Sequence, residues 1–231
     1  LDLATEMEEI IEARNTSPTI RLEIEDPASR DLVKVIQTIA GVGPTQTYHV
    51  PGELDLRAYF AIAGLPGHDQ LNVVPWPVTM PAVMEAGKTI FEIIRSGDLL
   101  LQHPYESFEP VLQLIEEAAA DPEVVAIKQI LYRTAKQSRI ISALIKAAEA
   151  GKHVTVLVEL RARFDESRNL ERAEDLLKAG AQIIYGVRGL KTHAKICLVM
   201  RRESGRLARY VHFGTGNYNE TTLQTDMEPE S

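Results

Sequence analysis

One cysteine stands among 231 residues, so no disulfide framework exists within the chain. Cys197 sits inside an apolar run and reads as a small core residue. Positive charge is also scarce: 25 Lys and Arg face 33 Asp and Glu, a formal net charge of −8. That argues against broad, nonspecific nucleic-acid binding, and any anionic ligand needs a locally positive cleft. No apolar run reaches the length of a bilayer span. Residues 1–20 are acidic and polar rather than basic then apolar, unlike a signal peptide. These absences predict a soluble, cytoplasmic protein. What is present suits a folded core: 45% hydrophobic and 25% charged residues, in a length that suits one large or two small domains.

Two parts are expected, 1–78 and 79–231. The first is helix-rich and irregular. Leu32, Val33, Ile36, Ile39 and Ala40 follow helical spacing, and "GVGP" from Gly41 breaks the run. "VPWPVTMP", ending at Pro81, can continue neither a helix nor a central strand. The second part alternates. "DLLLQHPY" (Asp98 to Tyr105) predicts a short strand. "SFEPVLQLIEEAAAD" predicts a helix capped by Ser107, with Phe108, Val111, Leu112, Ile115 and Ala119 inward. "VVAIKQILY", "HVTVLVEL" and "QIIYG" predict strands. Between them lie two helices, one ending at Gly151 and one at Gly180, the latter with Leu170, Ala173 and Leu177 inward. Such alternation implies parallel neighbours with right-handed crossovers. "GLKTHAKICLVM" and "RLARYVHF", joined by "RRESG", predict an antiparallel hairpin, and the whole a mixed α/β sheet.

The run from Gly189 to Met200 has an odd beginning. His193 and Lys195 are two apart, so on a strand they share a face, with Cys197 and Val199 beyond. Arg133 follows one predicted strand; Arg161 and Arg163 follow another. Ligands of open α/β sheets gather beyond the carboxyl ends of parallel strands, so these cations are expected on one rim. An arginine fork matches phosphate oxygens, and a histidine near neutral pH can act as a nucleophile. Together they suggest phosphoryl transfer through a phosphohistidine. Taken singly, each arginine is more simply an ion-pair partner of Glu159, Asp165 or Glu166. His49, His68, His103 and His153 read as ordinary core or surface groups, and Tyr132, Tyr185 and Tyr210 as packing. "VHFGTGNYN" stays open: Gly214 and Gly216 make either a tight exit from a hairpin or a close approach to phosphate, with Asn217 donating.

The assembled pattern is more specific. "IKQILYRTAKQSRIISALIKAAEAGKHVTVLVELRARFDE", "GLKTHAK" and "RYVHFGTGNYNETT" occur in that order. With "YHVPGELDL" and "LLQHPYESFEPV", they resemble the long bacterial type (type 1) of polyphosphate kinase across nearly the whole chain. The resemblance implies an α/β fold: a phospholipase-D-like mixed sheet flanked by helices, preceded by a smaller helix-rich α+β segment. Residues 1–78 would be part of the head domain and 79–231 the first phospholipase-D-like catalytic domain. It also implies reversible transfer of the terminal phosphate of ATP to inorganic polyphosphate. His193 would be the phosphorylated nucleophile, Lys195 would neutralise the transferred group, and Asn217 would orient it. Arg133 and Arg163 would be the family's phosphate and magnesium site. Arginine cannot ligate Mg²⁺, so they would hold phosphates that in turn hold the metal. The implied partners are ATP or ADP and polyphosphate, not nucleic acid, in a cytoplasmic homo-oligomer or a membrane-associated complex.

Departures accompany the resemblance. The family continues after the "GTGNY" turn with "TARLYTD", whose tyrosine contacts nucleotide; this chain reads "TTLQTDMEPES". An N-terminal helical domain and a second phospholipase-D-like domain are expected of the family and missing here, so the chain reads as a fragment with an incomplete site. Two alternatives remain. One is a polyphosphate-binding module without turnover. The other is a phosphodiesterase of the phospholipase D type, disfavoured because Val199 stands where that motif has aspartate.

Overall fold

The computed structural model describes residues 3–74, 76–84, 87–133, 138–160, 166–187 and 189–218. Two compact units emerge, Glu9–Val74 and a larger one formed by Pro75–Ser231 with Leu1–Glu8. Helix α1 (Leu3–Thr16) opens the chain. In the smaller unit, strands β1 (Leu22–Asp26) and β2 (Thr47–Pro51) pair in parallel, linked through helix α2 (Arg30–Ala40). The spacing of Leu32, Val33 and Ile36 is thus helical as read. Ser29 Oγ accepts the Leu32 N–H at 3.2 Å to start the helix, and Gly41 at φ 66° ends it. A single turn, α3 (Phe60–Ala63), follows.

The larger unit begins with α4 (Ile90–Ser96), where Thr89 and Glu92 cap each other reciprocally. Then come α5 (Glu109–Ala120), β3 (Val124–Leu131), α6 (Arg139–Glu149), β4 (His153–Val158), α7 (Glu166–Lys178) and β5 (Gln182–Tyr185). Strands β6 (Lys195–Glu203) and β7 (Arg206–Gly214) complete a five-stranded sheet in the order β5-β4-β3-β6-β7. β3, β4 and β5 are parallel; β6 runs antiparallel to β3 and to β7. The mixed α/β sheet read from the sequence is the observed one. The β6–β7 turn puts Ser204 and Gly205 at φ 48° and 77°, the two positive values that a tight hairpin needs. Helices α5, α6 and α7 lie side by side. The core beneath them includes Ile115, Ile127, Leu144, Val156 and Val199.

Three expectations change. Asp98 to Tyr105 is not a strand. Pro104 has no N–H to donate, and the isolated bridge nearby, Thr79 with Glu106, falls one residue past the segment. β6 begins at Lys195, so His193 stands on the loop before it rather than on the strand. There the Thr192 N–H donates to a carboxylate oxygen of Glu159, 33 residues away in sequence, at 2.6 Å, instead of to a strand partner. Finally, α7 turns Leu176 inward at 0% exposure, whereas Leu177 is 49% exposed. Gly151 and Gly180 do take the left-handed conformations expected of helix stops, at φ 79° and 95°.

The two adjacent leucines provide a test of this packing. Leu176→Ala should cost about 2.5–5 kcal/mol in urea denaturation, as for other fully buried leucines, and Leu177→Ala within about 0.5 kcal/mol. Reversed values would mean that the helix faces the sheet with its other side.

Candidate functional site

The parallel strands β3 and β4 end on the same edge of the sheet. β6 is antiparallel to β3 with Gln129 opposite Cys197, so β6 starts at that edge. β7 ends there, with Gly214 opposite Lys195. One rim therefore gathers Tyr132 and Arg133 after β3, Glu159 after β4, Lys195 at the start of β6 and the turn from Gly214 to Asn217 after β7.

Tyr132 is at the centre of the cations. Its ring centroid lies 5.1 Å from Lys195 Nζ, 5.5 Å from Lys191 Nζ and 5.8 Å from Arg133 Cζ. The imidazole of His193 meets the same ring edge-to-face, at 5.2 Å between centroids. Lys195 is 4% exposed, with its Nζ 2.9 Å from His193 Nε2 and 2.7 Å from the His193 carbonyl oxygen. An ammonium can only donate, so with a charged lysine Nε2 is the acceptor. Cations gathered in so little space attract an anion, in a chain whose overall charge is −8.

A second polar group lies under the rim. In the ladder, Gln129, Cys197 and His212 stand abreast on one face. Tyr218 covers them and is buried; its hydroxyl is 2.7 Å from His212 Nδ1. Burial, and then the neighbouring His103, push His212 down to about 4, so it is neutral near pH 7. Burial pushes the Tyr218 phenol up, and lifts the Cys197 thiol to about 12, which leaves that thiol inert. A Cβ on Gly214 would come within 3.1 Å of His212 Cε1, so a side chain there would crowd the imidazole.

Of the residues picked from sequence, Arg133, His193 and Lys195 come together around Tyr132. Asn217 is buried on the turn that begins next to Lys195. Arg161, Arg163 and the segment from residue 219 to 231 lie outside the described residues. Tyr132 was read as packing, yet it forms the wall of the site; its position beside Arg133 in "LYR" was the available signal. Glu159 takes a backbone N–H at the site, beyond the ion-pair role expected of it. His103 and His153 remain outside: His103 Nδ1 is 2.8 Å from the Glu106 carbonyl oxygen, and His153 opens β4 at the opposite edge. Among the described residues no group of three or more His, Cys, Asp or Glu could hold a metal ion. None of their helices is long and apolar enough to cross a membrane.

Comparison with known proteins identifies relatives. Residues 89–228 match the family Polyphosphate kinase C-terminal domain 1. A polyphosphate kinase of Rhodopirellula baltica is 50% identical over 221 residues, which cover 96% of this chain and 26% of that protein. One from Pseudomonas aeruginosa is 43% identical over 227 residues, covering 97% and 33%. The crystal structure of polyphosphate kinase from Porphyromonas gingivalis superposes with a TM-score of 0.68 at 32% identity, covering 87% of this chain and 31% of the other. The chain thus spans about a quarter to a third of the length of these relatives.

The depressed His212 makes a pH test possible. Unfolded histidine takes its proton near 6.5 and His212 in the fold only near 4, so between those values the unfolded chain binds more protons. Stability should therefore fall as pH drops from about 6.5 to 4, by on the order of 2 kcal/mol at pH 4.5. His212→Asn should lose that contribution to the acid slope when urea denaturation is followed at pH 7 and 4.5. An unchanged slope would mean that His212 already titrates normally in the folded protein.

Proposed function

The chain belongs to the polyphosphate kinase family, and from that premise we propose that it carries the phosphohistidine half of an ATP:polyphosphate phosphotransferase. Residues 1–78 would belong to the head domain and 79–231 to the first phospholipase-D-like domain. The observation that carries this reading is the 2.9 Å contact of Lys195 Nζ with His193 Nε2, set against the Tyr132 ring beside Arg133. In the free site the ammonium holds the Nε2 lone pair. A phosphate arriving among the cations draws the ammonium onto its own oxygens and releases that lone pair. Nε2 then bonds to the terminal phosphorus of ATP, and the bond from that phosphorus to the ADP oxygen breaks, with its electrons leaving on ADP. A terminal oxygen of polyphosphate takes the phosphoryl from Nε2 and restores the imidazole, and the reverse sequence makes ATP. Arg133 and Arg163 would grip phosphate oxygens with their forks, and Asn217 would orient the transferred group.

The described residues do not offer a protein-held magnesium site. Mg²⁺ fits instead as a companion of the nucleotide, neutralising phosphate charge, with the arginines on the remaining oxygens. ATP or ADP and polyphosphate are the partners on this reading, in a cytoplasmic homo-oligomeric complete protein. A polyphosphate-binding module without turnover is the second reading, favoured by the Lys195 ammonium that occupies the His193 Nε2 lone pair at 2.9 Å.

Three outcomes decide between them. A complete polyphosphate kinase built around this segment should form an acid-labile, alkali-stable phosphoenzyme from labelled ATP. The label should vanish in His193→Ala and persist in His153→Ala; equal labelling of both would refute the assignment. Arg133→Lys keeps the charge but loses the fork, and should raise the barrier by about 2–4 kcal/mol as read from kcat/KM. Wild-type kinetics would reduce Arg133 to a surface ion-pair residue. The 231-residue chain alone should bind tripolyphosphate weakly, with affinity that falls as salt rises, and should not extend a polyphosphate primer. Sustained, His193-dependent extension would show that this half of the site suffices.

A further inference from the structure

Neither His193 nor Arg133 is held by the sheet. Arg133 comes two residues after the end of β3, and His193 two before the start of β6. Both therefore stand beyond the ladder of strand hydrogen bonds, on separate segments. A nucleophile and a phosphate grip that drift apart by an ångström lose much of their joint effect. Something other than strand pairing has to set their separation.

Two buried polar side chains join these segments at one node. Glu159, the residue after β4, is 1% exposed, and Asn169, in the first part of α7, is 2% exposed. The Glu159 backbone N–H donates to the Leu131 carbonyl oxygen, at 3.0 Å. Its Oε2 accepts the Thr192 N–H at 2.6 Å, one residue before His193. Asn169 Nδ2 donates at 2.8 Å to the carbonyl oxygen of Tyr132, one residue before Arg133, and at 3.0 Å to that of Glu159. The two hydrogens of one amide nitrogen thus tie the end of β3 to the end of β4, and one carboxylate ties both to the histidine loop. A buried carboxylate costs several kcal/mol in desolvation unless its bonds are well made. A loop amide could have been left to water at no such cost.

We propose that Glu159 and Asn169 are positioning residues that fix His193 and its Tyr132 wall against Arg133. Their role is geometric: what matters is the acceptor offered to Thr192 and the amide offered to Tyr132 and Glu159. The proposal builds on His193 as the nucleophile, so its test reads the position of His193 directly and does not depend on turnover.

The comparison uses the 231-residue chain with labelled histidine, the His193 signal being assigned by its loss in His193→Asn. In the intact chain the Thr192 amide should exchange with solvent as slowly as strand amides, although it lies in a loop. Rapid exchange there would overturn the proposal without any variant. Glu159→Ala and Glu159→Gln remove the same charge, but only glutamine keeps an acceptor. Glu159→Ala and Asn169→Ala should move the His193 ring signal away from its Tyr132-shifted position and leave His153 in place. Glu159→Gln should keep the His193 signal. Tripolyphosphate should bind about tenfold more weakly to Glu159→Ala than to Glu159→Gln. Alanine and glutamine variants with the same His193 signal, in chains folded by circular dichroism, would refute the proposal. Should the wild-type chain bind no tripolyphosphate, the proposed phosphate site would fail, while the amide exchange and the His193 signal would still decide whether the clamp exists.

Discussion

The antiparallel pairing of β6 with β3 is the constraint on which the site depends. With Gln129 opposite Cys197, the first residue of β6 must lie beside the last of β3. A shift by one residue would turn Lys195 to the other face, away from Tyr132, and Cys197 out of the core. The core therefore guards the register that the candidate site needs. Cys197 and Val199 are fully buried on the face that continues from Lys195. Their burial stabilises that register by roughly 25 cal/mol per Å² of apolar surface taken from water.

Charge follows from that placement. The chain carries eight more acidic than basic groups, so its far field repels a polyanion. Beside the Tyr132 ring three cations nonetheless gather, Lys191, Lys195 and Arg133, each within about 6 Å of its centroid. Screening at physiological salt confines both fields to roughly 8 Å, so the local cluster governs what binds at the rim. Some acidic groups elsewhere hold elements together: Glu109 and Glu116 both clasp Arg139 across α5 and α6, and Asp121 holds Arg201 of β6 at 2.7 Å.

Much of this was legible in the sequence because it is periodic. The strands of 124–131, 153–158 and 182–185 and the helices between them announce themselves by apolar spacing and by glycine stops. So does the hairpin, through its Ser204-Gly205 turn. The failures occur where periodicity is ambiguous or absent. Leu176 and Leu177 are neighbours in a helix, and either could close the stripe that runs from Leu170 and Ala173. Three leucines before Gln102 look like a strand until Pro104 withholds a donor. The residues that surround His193 were harder still. Glu159, Asn169 and Thr192 meet through side-chain-to-backbone bonds that span 10 to 37 residues, and no local pattern encodes such bonds. Tyr132 looked like one more packing ring because packing and walling a site call for the same side chain.

The division of labour at the rim has a physical logic. Groups that meet phosphate must keep enough freedom to exchange partners, as Lys195 would on the proposed reading, leaving Nε2 for an incoming oxygen. Groups that set distances must not exchange partners. Regular sheet cannot supply the second kind, because its hydrogen bonds stop where the strands stop, at Leu131, Val158 and Lys195. Buried polar side chains can, since in a low-dielectric setting a made bond is strong and a broken one leaves an unsatisfied group. The buried layer under the rim, with His212 kept neutral beside Tyr218, extends the same principle one layer deeper. It places no fixed positive charge there to compete with the rim for phosphate. The cations then remain the only strong attraction for an anion that reaches the described part of this edge.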